Sequence, residues 1–318
     1  MSVLKPGSHL RILSPSASIE HIGGFEANLA AKETLEALGF FLSFSEHYLE
    51  HDMLDSASID SRVADLHAAF ADDSVDGILA TIGGFNSNEL LPYLDYELIA
   101  QNPKTICCYS DTTAILNAIY SKTGLQTYMG PSYSSFKMVE GQVYQSESWL
   151  KALGYTAYDL EPSSEWSSDP WYDPSQPRHF IPTEWKSYNS GKASGTLIGG
   201  NLSTFGLLRG TPYAPKPESY VLFLEEAEED DYVEFDRNLA AILQAYPHPK
   251  AALVLGRFPK ECQMTPELLL YILDKHPILK DIPVIYDTDF AHTQPLFTIT
   301  IGAQVTVDAD TLSIHIQE

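Results

Sequence analysis

Short apolar runs alternate with amphipathic stretches through the first half of the chain, and a chain so patterned builds β-α-β units around a parallel sheet. Residues 10–13 (Leu-Arg-Ile-Leu) read as the first strand. Over 25–38, Phe25, Leu29, Leu35 and Leu38 fall mostly on one helical face, and Gly39 follows where a terminating glycine belongs, so one helix is predicted. Val63, Leu66 and Phe70 share a face in a second helix over 59–70, which leads into a buried strand at 77–82. A further strand, 105–109, runs into a helix over 111–121, and Ser110 lies between them.

The periodicity fails from 161 to 189, where five prolines (Pro162, Pro170, Pro174, Pro177, Pro182) and three tryptophans (Trp166, Trp171, Trp185) stand in a polar background. Connections this long without regular structure are functional or disordered, and the aromatics favour function. Strands are then predicted at 194–200, 220–224, 251–255 and 283–286, helices at 233–246 and 266–275, and a β-rich tail over 297–316. The expected fold is α/β: an N-terminal parallel-sheet α/β domain over 1–160, an aromatic, proline-rich linker loop over 161–189, and a C-terminal α/β domain with a β-rich tail over 190–318.

Charge narrows the partners. With 43 acidic and 19 basic residues the chain carries a formal charge of -24, a field that repels nucleic-acid backbones and anionic membrane surfaces. No apolar stretch reaches the ~18 residues of a membrane span, and no apolar export core follows Lys5, so a cytoplasmic protein is expected. Three cysteines without a Cys-x-x-Cys spacing argue against a disulfide framework or a zinc ribbon. Cys107 and Cys108 sit inside an apolar strand and read as buried structural thiols.

Open parallel sheets place ligands beyond the carboxyl ends of their strands, and the chemically useful residues cluster there. Ser110 ends one strand at the start of a helix, whose amides and dipole can stabilise an oxyanion, although a serine there also makes a good helix cap. Glu225 ends the strand at 220–224 and heads an acidic run that otherwise reads as a solvated face. His292 follows the strand at 283–286 and is a natural base near neutral pH, or else a structural histidine. Gly83-Gly84 permits close backbone approach with N–H groups presented to a ligand, or simply a tight turn, and Gly199-Gly200-Asn201 admits the same two readings.

Taken together, Ile82-Gly-Gly-Phe-Asn-Ser-Asn-Glu-Leu-Leu-Pro-Tyr-Leu-Asp95, Tyr109-Ser-Asp-Thr-Thr113, Gly130-Pro131, Gly199-Gly-Asn-Leu-Ser203, Leu222-Phe-Leu-Glu225 and Ala291-His-Thr293 with Pro295 resemble the serine LD-carboxypeptidase family. The likeness is nearer to its microcin C immunity branch: murein-trimming members typically show Arg-Gly-Gly-Tyr-Gly where this chain has Ile82-Gly-Gly-Phe-Asn86. The resemblance implies an active site at the domain interface with Ser110 as nucleophile, His292 as base and then acid, and Glu225 holding the imidazole. It also implies an oxyanion hole of the Gly84 and Asp111 amides, substrate contacts at Gly83 and Asn201, no metal or other cofactor, a homodimer, and a small peptide or peptidyl-nucleotide substrate cleaved through an acyl-enzyme. Aromatic residues of the linker loop would stack on an adenine-like group.

Two other classes fit the residues alone. Asp287, Asp289, His292 and Glu225 could serve a metal-dependent hydrolase, and two α/β lobes around a cleft could form a non-catalytic small-molecule binding protein.

Overall fold

The computed structural model describes residues 4–173, 175–246, 250–290 and 292–317. Pro174 and Ala291 of the segments quoted above lie outside them.

Two sheets organise the chain. The first contains β1 (His9–Leu13), β2 (Phe41–Phe44), β3 (Gly77–Ala80), β4 (Thr105–Cys108), β5 (Thr127–Met129) and, from near the carboxyl terminus, β14 (Ile299–Ile301), in the order β14-β5-β4-β3-β1-β2. All pairings but β14 on β5 are parallel. Every residue of β3 and β4 is buried, as strands covered on both faces require, and this is why they read as unbroken apolar runs. The second sheet runs β6 (Ala157–Leu160), β16 (Ser313–Gln317), β15 (Gln304–Asp308), β10 (Lys192–Asn201), β11 (Tyr220–Glu225), β12 (Lys250–Gly256), β13 (Val284–Thr288), β9 (Lys186–Asn189). Its centre, β10 to β13, is parallel and its edges antiparallel. One apolar cluster spans both sheets, from Leu10 and Ile78 to Leu222, Val254 and Ile285.

The predicted strands and most helices are found, with informative departures. The helix expected over 25–38 is broken into Gly24–Ala27 and Leu29–Ala37. Asn28 breaks it: its side-chain amide donates to Gly24 O at 2.7 Å and to Ile22 O at 3.2 Å, competing with the helical ladder. Its own oxygen accepts from Lys137 Nζ at 2.7 Å.

The segment from 161 to 189 is not a structureless loop. β7 (Glu165–Trp166) pairs antiparallel with β8 (Ile181–Pro182), and β9 forms an edge of the second sheet against β13. Nor do the sheets respect the boundaries drawn from composition: β6 pairs with β16, and β14 closes the first sheet on β5. Each half of the chain thus lends an edge strand to the other.

Candidate active site

Ser110 follows β4 by one extended residue and opens a short 3-10 turn, Ser110–Thr112, that runs into the helix Thr113–Thr123. Its φ is 62°, a left-handed conformation that costs a non-glycine residue about 1–3 kcal/mol and persists only where the surroundings enforce it. Thr112 enforces part of it by donating its hydroxyl to Tyr109 O at 2.8 Å. The Ser110 hydroxyl is not a helix cap: it lies 3.1 Å from His292 Nε2.

Gly83 and Gly84 are packed against this turn. A Cβ on Gly83 would sit 2.7 Å from Ser110 Cβ, 2.8 Å from its Oγ and 3.5 Å from the Asp111 amide nitrogen. Gly84 has φ of 153°, and a Cβ there would run into Ser16 Oγ and come within 2.7 Å of the Ala17 amide. Only glycine fits either place. The buried Asp111 carboxylate ties the surrounding loops together, accepting Ser16 Oγ at 2.5 Å and the Ser87 amide at 2.8 Å, while Ser87 Oγ donates to Asp111 O at 2.7 Å. Burial pushes its carboxyl up, and these hydrogen bonds oppose that.

His292 Nδ1 lies 2.7 Å from Glu225 Oε2, and Glu225 is the buried last residue of β11. Burial alone would lower the imidazole pKa, but the Glu225 charge and hydrogen bond, with Glu228 and Glu229 beyond it, raise it to about 9. The Tyr109 ring lies 5.2 Å from the imidazole, centre to centre. Serine, histidine and glutamate therefore form one hydrogen-bonded chain drawn from three strand ends on two sheets. Such a chain can take a proton from the hydroxyl, hold it on the imidazole and return it to a leaving group.

Asn201 pairs with Glu225 in the β10–β11 register and is buried. Its side-chain oxygen caps the short helix Leu202–Gly206 through the Thr204 amide at 3.1 Å and accepts from Ser203 Oγ. Only its amide nitrogen remains for a substrate. Within the rest of the acidic run Glu228 and Glu229 are exposed, as a solvated face requires, but Glu226 departs from it: it is 1% exposed, and burial with Asp230 nearby pushes its carboxyl up to about 10. Cys107 and Cys108 are buried, and burial pushes the Cys108 thiol up to about 12.

The four side chains of the metal alternative are not gathered. Asp287 pairs with Lys186 at 3.1 Å, Asp289 with Arg257 at 2.6 Å, and only Glu225 meets His292. Among the described residues no cluster of three or more His, Cys, Asp or Glu is placed to hold a metal ion. Of the tryptophans, Trp185 is a core anchor packed edge-on against Phe297, Trp166 lies under the Arg257 guanidinium at 5.0 Å, and Trp171 meets Tyr172 edge to face.

Sequence reasoning missed Arg257, though it follows β12 at a strand end, where such residues are to be sought. It also weighed Asp289 only as a metal ligand. Ser16 and Ser87, which brace Asp111, carry no signal that separates them from other loop serines.

Comparison with known proteins shows the family to which the chain belongs. Residues 10–130 match the profile of the LD-carboxypeptidase N-terminal domain and residues 194–307 that of the LD-carboxypeptidase C-terminal domain. YocD of Bacillus subtilis (strain 168), which carries a provisional carboxypeptidase name, is 44% identical over 97% of this chain and 95% of its own. The crystal structure of an MccF-like protein from Bacillus anthracis (strain Ames) superposes with a TM-score of 0.95 at 42% identity, covering 99% of this chain and 98% of that one. MccF in complex with glutamyl sulfamoyl guanosine superposes with a TM-score of 0.90 at 30% identity, covering 100% and 98%. With both profiles matched and relatives this similar over almost its whole length, the chain belongs to the LD-carboxypeptidase family, and its structural neighbours are MccF-like.

Proposed function

We propose that the protein is a serine peptidase that hydrolyses an amide bond through an acyl-enzyme, with Ser110 as nucleophile, His292 as general base and acid, and Glu225 orienting the imidazole. The observation that carries this reading is the chain of contacts from Ser110 Oγ through His292, at 3.1 and 2.7 Å, to a buried carboxylate.

In the first step Ser110 Oγ attacks the carbonyl carbon while its proton passes to His292 Nε2. The amides of Gly84 and Asp111 stabilise the oxyanion, and the tight fit of Gly83 against Ser110 keeps that pocket small. The C–N bond then breaks as His292 returns the proton to the departing amine. Water, deprotonated by His292, attacks the acyl ester and regenerates Ser110 with release of the acid. No step needs a metal. Gly83 and the Asn201 amide nitrogen would line the substrate.

For the substrate the reading favours a peptidyl-nucleotide over a murein tetrapeptide that would release a terminal D-alanine. Ile82-Gly-Gly-Phe-Asn86 departs from the murein-type motif, and MccF has been captured with an aminoacyl sulfamoyl nucleoside. The reading extends to a cytoplasmic protein, from the sequence, and to a homodimer, which the family resemblance implies; no described helix is long and apolar enough to cross a membrane.

Purified protein incubated separately with a peptidyl-sulfamoyl-adenylate and a murein tetrapeptide, with products read by mass spectrometry, tests both levels. Cleavage of the adenylate, abolished by Ser110→Ala with the fold intact, is expected. Hydrolysis retained in Ser110→Ala would overturn the assignment, and cleavage of the murein peptide alone would reverse the substrate preference.

A further inference from the structure

His292 is held from both sides, and both anchors reach into the segment 161–189. Two residues beyond it, Gln294 and Ser167 exchange backbone hydrogen bonds at 2.9 and 3.0 Å. Three residues before it, the carboxylate of Asp289 is fully buried and saturated with donors. Its Oδ2 accepts the Trp185 indole N–H at 2.7 Å and the Ser163 amide at 3.2 Å. Its Oδ1 meets Arg257 Nη2 at 2.6 Å and accepts the Ser163 hydroxyl. Arg257 is fixed in turn, with its amide on Thr288 O at 3.1 Å and its guanidinium over Trp166.

The segment bearing His292 needs such fixing. It leaves β13 through Asp287, a non-glycine residue at φ 61°, and β13 ends at Thr288, before His292 is reached. Proton transfer from Ser110 depends on a single 3.1 Å contact between residues on different sheets. A misplacement of about 1 Å in such a contact costs about a hundredfold in rate. Charge-assisted bonds to a buried carboxylate resist that misplacement better than neutral bonds at a wet surface.

We infer that Asp289 is a positioning residue for the general base, fixing through Arg257, Ser163 and Trp185 the segment that presents His292 to Ser110. The stretch from 161 to 189 is then the wall on which the catalytic histidine is mounted, and not merely a substrate-facing loop. This inference rests on the Ser110–His292–Glu225 reading.

Its test uses two variants of the full chain. Trp185→Phe removes one donor to Asp289 and keeps the ring beside Phe297. The double variant Asp289→Asn with Arg257→Gln removes both charges, so that neither is left buried alone. Steady-state hydrolysis of the substrate the wild type cleaves, the rate of fluorophosphonate labelling at Ser110 and the thermal midpoint are read for each, with Ser110→Ala alongside. The double variant should lose about a hundredfold in kcat with KM unchanged. Trp185→Phe should lose less, and labelling should slow in parallel in each. Wild-type kcat and labelling rates per folded molecule, even with a lowered thermal midpoint, would show a merely structural pair and overturn the inference alone. Hydrolysis surviving in Ser110→Ala would remove the triad reading and the inference with it.

Discussion

At the scale of single residues, His292 sets the working pH. Only the neutral imidazole can accept the Ser110 proton, and Glu225, Glu228 and Glu229 outweigh burial to hold its pKa near about 9. Activity as kcat/KM should therefore rise with pH along a limb centred well above the ordinary imidazole value of 6.5. Protonated His292 also stabilises the fold: that contribution is complete below 6.5 and is lost as pH rises through about 9. Glu228 and Glu229 act on His292 through charge, so replacing both with Gln should move the activity limb to lower pH while Ser110, His292 and Glu225 stay in place. A pH–rate profile of the double variant that overlays the wild type would contradict this account.

At the scale of elements, legibility followed the distance over which each element is determined. β3, β4 and β11 are buried throughout and β12 from Ala252 to Gly256, so they can be read from apolar runs alone, and the residues at or just past their ends, Gly83, Ser110, Glu225 and Arg257, are placed once the strands are found. The break at Asn28 is different, because it depends on Lys137 Nζ and Tyr133 OH as well as on the local bonds to Gly24 and Ile22. Periodicity carries no trace of those partners. Asn28→Ala should leave the Lys137 ammonium without its acceptor and cost about 1–3 kcal/mol of stability. Thermal unfolding checks this; kcat per folded molecule should be unchanged, since no bond of Asn28 reaches Ser110 or His292.

At the scale of the whole molecule, the two halves were separable in sequence but are interwoven in space. β14 joins the first sheet, β6 and β9 join the second, and Ser163 contacts Asp289 across 126 residues. Pairings over such distances leave no periodic or compositional signature, so 161–189 reads as a linker although part of it is an edge strand. The shared core also determines thiol chemistry. Cys107, Cys108 and Cys262 are all buried, and burial pushes their thiols upward, so native protein should react with an aromatic disulfide reagent only as fast as it unfolds. Rapid modification of any one in folded protein would show that the core is looser than this packing. The central claim is that the strained serine at the end of β4 is an activated nucleophile, and it meets its most direct test in peptide mapping after treatment with a fluorophosphonate. The account predicts a single covalent adduct on Ser110, lost in His292→Ala; an unmodified Ser110 in active, folded protein would contradict it.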